Sequence, residues 1–309
     1  MTVNNGHPAR QALAEDTSTP SVGVPAGLDV TSLADLRAAA TETGTGPCVP
    51  QRPTAHQLLT LDSGALRPAV DFTAYDLRPG SWLWARPGQV VQWGDLARAE
   101  GTLIVFEPDV PDPATVRAAG LDDPHGRVLR VPGAEEAPLA AAAADHLRRE
   151  FASGRGGLPA DAHAAVLRRL LEVLVLRVAH ADADGSGNPP QEPSETFLRF
   201  RAAVERDFAR TRRVDDYAVA LGYSTRTLSR ATLEAAGVAA KEFVDRRVVL
   251  EAKRLLAHTD LPAARIAAYL GFSSATNFAK YFHQRAGQPP IAFRVAVRGD
   301  GVSPGAARS

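Results

Sequence analysis

Between His56 and Glu107 the apolar residues come in short runs. Gln57–Leu61, Ala69–Tyr75, Ser81–Ala85, Gln89–Trp93 and Gly101–Glu107 are separated by Asp62-Ser63-Gly64, Arg78-Pro79-Gly80, Arg86-Pro87-Gly88 and Gly94-Asp95. Short alternating or apolar runs punctuated by Gly and Pro predict a small antiparallel sandwich or barrel. Farther on the period changes from strand-like to helical. Pro138–Ala152 is an alanine-rich helix in pattern, and Ser32–Thr41 a short helical candidate ahead of the strands. In Leu158–Ala181, residues Val166, Leu167, Leu170, Leu171, Leu174 and Val178 recur at steps of three and four, with Val173, Val175 and Leu176 on other faces. So wide an apolar surface needs covering on more than one side. The sandwich and a second subunit could supply the covers; a central core helix of a monomer is the alternative.

Beyond Pro193 the pattern is wholly helical, opening with Phe197, Phe200, Val204 and Phe208. Val214, Tyr217, Ala218 and Leu221 form one face of a short helix that Gly222 ends. Ser224 then supplies an N-cap for a second helix, with Leu228, Ala231 and Ala235 expected inward and Arg226 and Arg230 outward, flanked by Thr227 and Ser229. The arrangement recurs about fifty residues later. Ala263, Ile266, Ala267 and Leu270 lead to Gly271, Ser273 or Ser274 caps the next helix, Phe278, Tyr281 and Phe282 turn inward, and Thr276, Asn277 and Lys280 turn outward. Two short helices joined by a tight turn, the second with a polar and basic outer stripe, describe a helix-turn-helix; two in tandem are far more specific than one. Lys241–His258 reads as one connecting helix with an outward stripe of Arg246, Arg247, Lys253 and Arg254. A rigid connector would set two readers about 34 Å apart, over consecutive major grooves.

Charge agrees with this division. From Ser194 onward there are 19 Lys plus Arg against 11 Asp plus Glu, whereas the rest of the 309 residues holds 16 against 24, so a net charge of zero conceals a basic half suited to a polyanion. The segment 1–50, rich in Pro, Gly, Thr and Ser, reads as a mobile arm; 51–182 as a sensor and dimerisation domain; 183–193, without an apolar anchor, as a linker; 194–296 as the DNA-binding domain; and 297–309 as a disordered tail. No apolar stretch approaches a membrane span, the N-terminus has no secretory pattern, and the single Cys48 can form no internal disulfide, so a cytoplasmic protein without membrane association is expected. His56 stands alone among residues 50–124, which disfavours a metal; no catalytic grouping and no cofactor motif stands out.

Residues 213–294 resemble the DNA-binding domain of the AraC family of bacterial transcription regulators. The resemblance lies in Arg265-Ile266-Ala267-Ala268-Tyr269-Leu270-Gly271-Phe272-Ser273, in Asn277-Phe278-Ala279-Lys280-Tyr281-Phe282, and in Gly287, Pro290 and Phe293-Arg294. The first reader, Leu221-Gly222-Tyr223-Ser224 with Leu228-Ser229-Arg230, follows less closely, with Thr232 where the family usually has an aromatic and Ala286 where it often has Phe. His56-Gln57-Leu58-Leu59, Leu77-Arg78-Pro79-Gly80 and Arg86-Pro87-Gly88-Gln89-Val90 are similar to the family's cupin-like sensor. The resemblance implies an α+β chain: a cupin-like antiparallel β-barrel with flanking helices, then an all-α domain with two helix-turn-helix motifs. It implies a sequence-specific regulator that binds double-stranded DNA, answers a small-molecule effector, forms a homodimer and has RNA polymerase as a candidate partner. Expected DNA contacts are Ser224, Thr225, Arg226, Thr227, Ser229 and Arg230 on the first reader, Ser274, Ala275, Thr276, Asn277 and Lys280 on the second, and Arg247 on the connector. His56, Trp82, Trp84 and Trp93 are the candidates for lining an effector pocket, with ordinary barrel packing the competing role of the tryptophans. The alternative is a cupin-type enzyme with an appended nucleic-acid-binding domain, which metal content of the purified protein would separate.

Overall fold

The structure is a computed structural model that describes residues 24–43, 48–181 and 193–299. The chain forms two compact units, one up to Gly185 and one from Ser186. The first contains β1 (Leu28–Ser32), α1 (Leu33–Thr43), β2 (His56–Ser63), β3 (Ala69–Val70), β4 (Thr73–Ala74), β5 (Trp82–Ala85), β6 (Val91–Gln92), β7 (Glu100–Phe106), α2 (Pro113–Ala119), β8 (Leu129–Arg130), α3 (Glu136–Ser153) and α4 (Ala160–Ala179). An antiparallel sheet in the order β1-β7-β2-β5-β8 packs against a smaller one in the order β4-β3-β6, the sandwich form of the expected sandwich or barrel.

Strand alternation puts the larger sheet between two layers. Leu58, Trp82, Trp84, Ile104 and Phe106 pack against Ala140, Leu147, Leu167, Leu171 and Leu174 of the helices. Leu59, Leu61, Leu83 and Leu103 point the other way, onto Val70, Val91 and Trp93. Strand β2 is therefore buried on both faces from His56 to Leu61.

Three expectations change here. The arm assigned to residues 1–50 contains β1, paired residue for residue with β7, and α1, whose Arg37 donates to the carbonyls of Leu96 and Ala97 at 3.0 and 3.2 Å. Residues 24–43 thus belong to the folded unit, while 1–23 and 44–47 lie outside the described residues. The single strand expected over Ala69–Tyr75 is a tight hairpin, turned by Asp71 and Phe72 at φ 49° and 67°; the Asp71 carboxylate accepts from the Val90 amide and from Gln89 Nε2 and holds the turn. Finally, α4 finds its covers within the chain, in the sheet and in α2 and α3. Its water-facing line is Asp161, Ala165, Arg169, Val173 and Arg177, with Val173, 49% exposed, the one large apolar group. Helix α2 was unforeseen: Asp112 caps it, Pro113 opens it and Gly120 closes it in the left-handed region.

The second unit is helical: α5 (Glu195–Asp207), α6 (Val214–Leu221), α7 (Thr225–Ala236), α8 (Ala240–His258), α9 (Ala263–Tyr269), α10 (Ala275–Ala286) and α11 (Pro290–Gly299). The long helix α8 touches all the others and is the spine of the unit. Residues 297–299, expected in the tail, are part of α11; the rest of the expected tail from 300, and the linker apart from Pro193, lie outside the described residues.

Candidate nucleic-acid interface

Each short helix pair is set by the same two local devices. Gly222 and Gly271 close α6 and α9 at φ 72° and 71°, a conformation cheap only for glycine. Ser224 Oγ then accepts the Thr227 amide at 3.0 Å, and Ser274 Oγ the Asn277 amide at 3.1 Å, starting α7 and α10. The cap of the second reader is thus Ser274 and not Ser273.

On α7, Thr225, Arg226 and Arg230 are exposed, with Thr227 and Ser229 half-buried beside them. Arg230 lies 3.8 Å from Glu234, a loose surface pair that leaves it available to a stronger anion. On α10, Thr276, Asn277 and Lys280 are exposed and Ala275 half-buried; Asn277 Nδ2 donates to Ser273 Oγ at 2.9 Å. Behind α7 stand Leu228, Ala231 and Thr232, the last buried and donating its hydroxyl to the Leu228 carbonyl at 2.7 Å. Ala235, expected inward, is exposed, because the last turn of α7 runs past its support. Behind α10 stand Phe278 and Phe282, fully buried, and Tyr281, whose hydroxyl donates to Asp245 Oδ1 at 2.8 Å.

Two neighbours on the spine serve opposite readers. The Asp245 carboxylate is almost fully buried and accepts from Lys241, Tyr281 and Arg285. Burial pushes its carboxyl up, but these three bonds together outweigh burial and hold it below the usual carboxylate range. Burial first, then the hydrogen bond to Asp245 and its charge, push the Tyr281 phenol well above its ordinary value. Arg247 corrects an expectation. Its side chain is 12% exposed, bonded to Glu205 at 2.7 Å and Glu251 at 3.2 Å, and its guanidinium lies 3.9 Å from the Phe208 ring centre. It ties α8 to α5 and presents no charge to a phosphate. Arg254, expected on the same outward stripe, is buried against Glu251. Periodicity marked Arg247 as an outer position because the cover supplied by α5 comes from elsewhere in the sequence.

Arg212, which nothing in the sequence singled out, reaches from the loop before α6 to the second reader's turn. It donates to the carbonyls of Leu270 at 2.7 Å and Gly271 at 3.3 Å, and stacks 3.8 Å from the centre of the Phe272 ring.

In the first unit the four effector candidates do not converge. His56 and Trp84 lie in the helix-facing layer, where Trp84 Nε1 donates to His56 Nδ1 at 3.3 Å and His56 stacks 4.8 Å from Phe106. Burial, then the nearby Arg86 charge, lowers the His56 pKa to about 4, so the ring is neutral. Trp93 belongs to the layer between the sheets, which side chains fill. Trp82 borders a cavity of about 120 Å³ between α3 and the sheet, with Thr60, Asp62, Thr102 and Asp145 among its walls. Among the described residues no three His, Cys, Asp or Glu gather as a metal set requires, and no helix is long and apolar enough to cross a membrane.

Residues 217–296 match a family model described as a helix-turn-helix domain. Among solved structures, ToxT from Vibrio cholerae is similar over 87% of this chain and 98% of its own, at 12% identity and a TM-score of 0.42. A transcriptional regulator with an AraC-type DNA-binding domain, from Chromobacterium violaceum, covers 36% of this chain and 95% of its own, at 22% identity and a TM-score of 0.31. The DNA-binding domain of AdpA, solved with a target DNA, covers 35% and 96%, at 26% identity and a TM-score of 0.32. No curated protein matches the chain.

Proposed function

We propose that the protein, whose residues 217–296 match a helix-turn-helix domain, is an AraC-type regulator that binds a specific duplex DNA sequence and regulates transcription. The observation that carries the reading is the pair of serine-capped helices, α7 and α10, each with its inner face buried and its outer face polar and cationic. Arg226 and Arg230 on one, and Lys280 and Asn277 on the other, have the donors that major-groove edges accept: Arg and Lys toward guanine, Asn toward adenine. Thr225, Thr227, Ser229, Ala275 and Thr276 line the same faces and shape the fit. Ser224 and Ser274 serve first as caps, and the helix N-termini they hold open toward solvent suit a phosphate. Arg247 has no place in this interface.

In the same proposal the first unit senses a small molecule. A homodimer would bury a largely polar line of α4, and sedimentation of the intact chain measures whether it forms; contact with RNA polymerase is the step by which bound protein would act. The test of DNA reading is selection of duplexes from a random-sequence pool by the intact chain. Arg226→Ala and Lys280→Ala should each cost about 1–3 kcal/mol on the selected duplex and relax the preference at one base pair. An Arg226→Ala protein with an unchanged ratio of selected to random DNA affinity would sink the base-reading role of that residue.

A further inference from the structure

We infer that Arg212 is a positioning residue for DNA binding: a strut that fixes the tilt of the second reader relative to the first, and with it the spacing of the two half-sites. The inference rests on the DNA-binding reading above. The connecting helix sets the distance between the two readers and holds the body of α10 through Asp245. A second tie, at the turn between α9 and α10, joins that turn directly to the first reader and fixes the tilt at its other end. The segment before α6 supplies such a tie. On one side it belongs to the first reader, because the Tyr217 hydroxyl of α6 donates to the Thr211 carbonyl at 3.0 Å and the Thr211 hydroxyl bonds Asp216. On the other it grips the second reader's turn, through the two carbonyls that Arg212 bonds and through Phe272 beneath its guanidinium.

The grip extends to the reading helix. Phe272 meets Phe278 and Tyr281 of α10 edge-on, with ring centres 5.5 and 5.0 Å apart. The backbone fits as closely: a side chain at Gly271 would place its first carbon 2.7 Å from the Ala209 carbonyl oxygen. Arginine suits the task chemically. Its planar fork can serve two carbonyls at the negative end of α9 while its face lies on an aromatic ring, which a lysine cannot do at once. Arg212 itself contacts no part of the outer faces of α7 or α10, so its effect must be on how the readers act together.

The experiment uses the intact chain and a duplex it selects from a random pool, with companion duplexes carrying one inserted or deleted base pair between the halves and one carrying a single half. Two readers held rigidly lose the advantage of simultaneous binding when the spacing is wrong. Wild-type protein should therefore bind the altered spacings about tenfold or more weakly. Arg212→Ala should bind the parent duplex about fivefold to tenfold more weakly, bind the half-site within about twofold of wild type, and discriminate between spacings by less than about threefold. A merely structural residue would lower the melting temperature without changing that spacing ratio. Should Arg212→Ala not fold, Arg212→Lys keeps the charge, gives up the fork, and is read by the same ratio. A spacing preference that the variant retains in full, or one that wild type never shows, overturns the strut. A pool from which wild type selects nothing overturns the DNA-binding reading itself.

Discussion

Gly222, in the turn of the first reader, has open space where a side chain would project, whereas Gly271 in the second faces the Ala209 carbonyl oxygen at 2.7 Å from that same point. The two have nearly the same φ and end the same kind of helix. Glycine at the first turn answers only to the sign of φ; at the second it also answers to a neighbour. The contrast continues inward. The first reader rests on Leu228, Ala231 and Thr232, whose hydroxyl bonds the Leu228 carbonyl, and draws aromatic support from α5, where Phe200 meets Tyr217 of α6 edge-on at 5.6 Å. The second carries its own aromatic floor in Phe278, Tyr281 and Phe282. One backbone frame is thus stabilised in two ways, from behind in the first reader and from within in the second.

The sharpest way to break this comparison is to put the same side chain at both glycines. Gly271→Val should destabilise the second unit by about 3 kcal/mol or more, since strained φ and a backbone clash add. Calorimetry should show the C-terminal transition falling while that of the first unit stays in place. Asp245→Ala comes next, at about 2–3 kcal/mol, less than the loss for a wholly buried pair because Lys241 and Arg285 can turn to water. It also has a pH signature. A carboxyl whose pKa is lower folded than unfolded contributes stability above its unfolded value of about 4, and that stability is lost as pH falls through the folded value. Denaturant midpoints of the wild type should therefore drop on the acid side, and Asp245→Ala should flatten that leg; an equal acid slope in both would remove Asp245 as its source. Arg247→Ala, which cuts α8 from α5 behind the first reader, should cost about 2 kcal/mol in the same melts. On selected against random DNA it should leave the affinity ratio within about twofold, as expected of a side chain that meets no base. The smallest effect is Gly222→Val, about 1–2 kcal/mol for the left-handed backbone alone; a loss equal to that of Gly271→Val would erase the difference between the turns.

Much of this frame is legible in local chemistry. The glycines, the serine caps and the inner residues Leu228, Phe278 and Phe282 announce themselves because each acts within four or five residues of its own position. What escapes is whatever depends on a distant partner. Strand β1 hides in a Pro- and Thr-rich segment and takes its meaning from β7, more than seventy residues away. Arg247 and Arg254 occupy outer positions by period and inner ones by packing, since α5 and Glu251 claim them. Trp93 and Trp84 look alike in sequence yet fall in different layers, because Trp84 lies on β5 of the larger sheet toward the helices, whereas Trp93 follows β6 of the smaller sheet and packs between the two. Helix α2 is a different kind of miss: its Asp-Pro start and Gly stop are local signals, outweighed by its brevity.

The inward turn of so many cations alters how the basic half will meet a polyanion. Arg212 and Arg294 give their guanidinium groups to backbone carbonyls, Arg298 to carbonyls and Asp260, and Arg247, Arg254 and Arg285 to carboxylates. Ions condensed along a duplex are released only by charges that actually meet its phosphates. The exponent linking affinity to salt concentration will accordingly follow Arg226, Arg230, Lys280 and their water-facing neighbours, and stay well below what the surplus of 19 basic over 11 acidic residues implies.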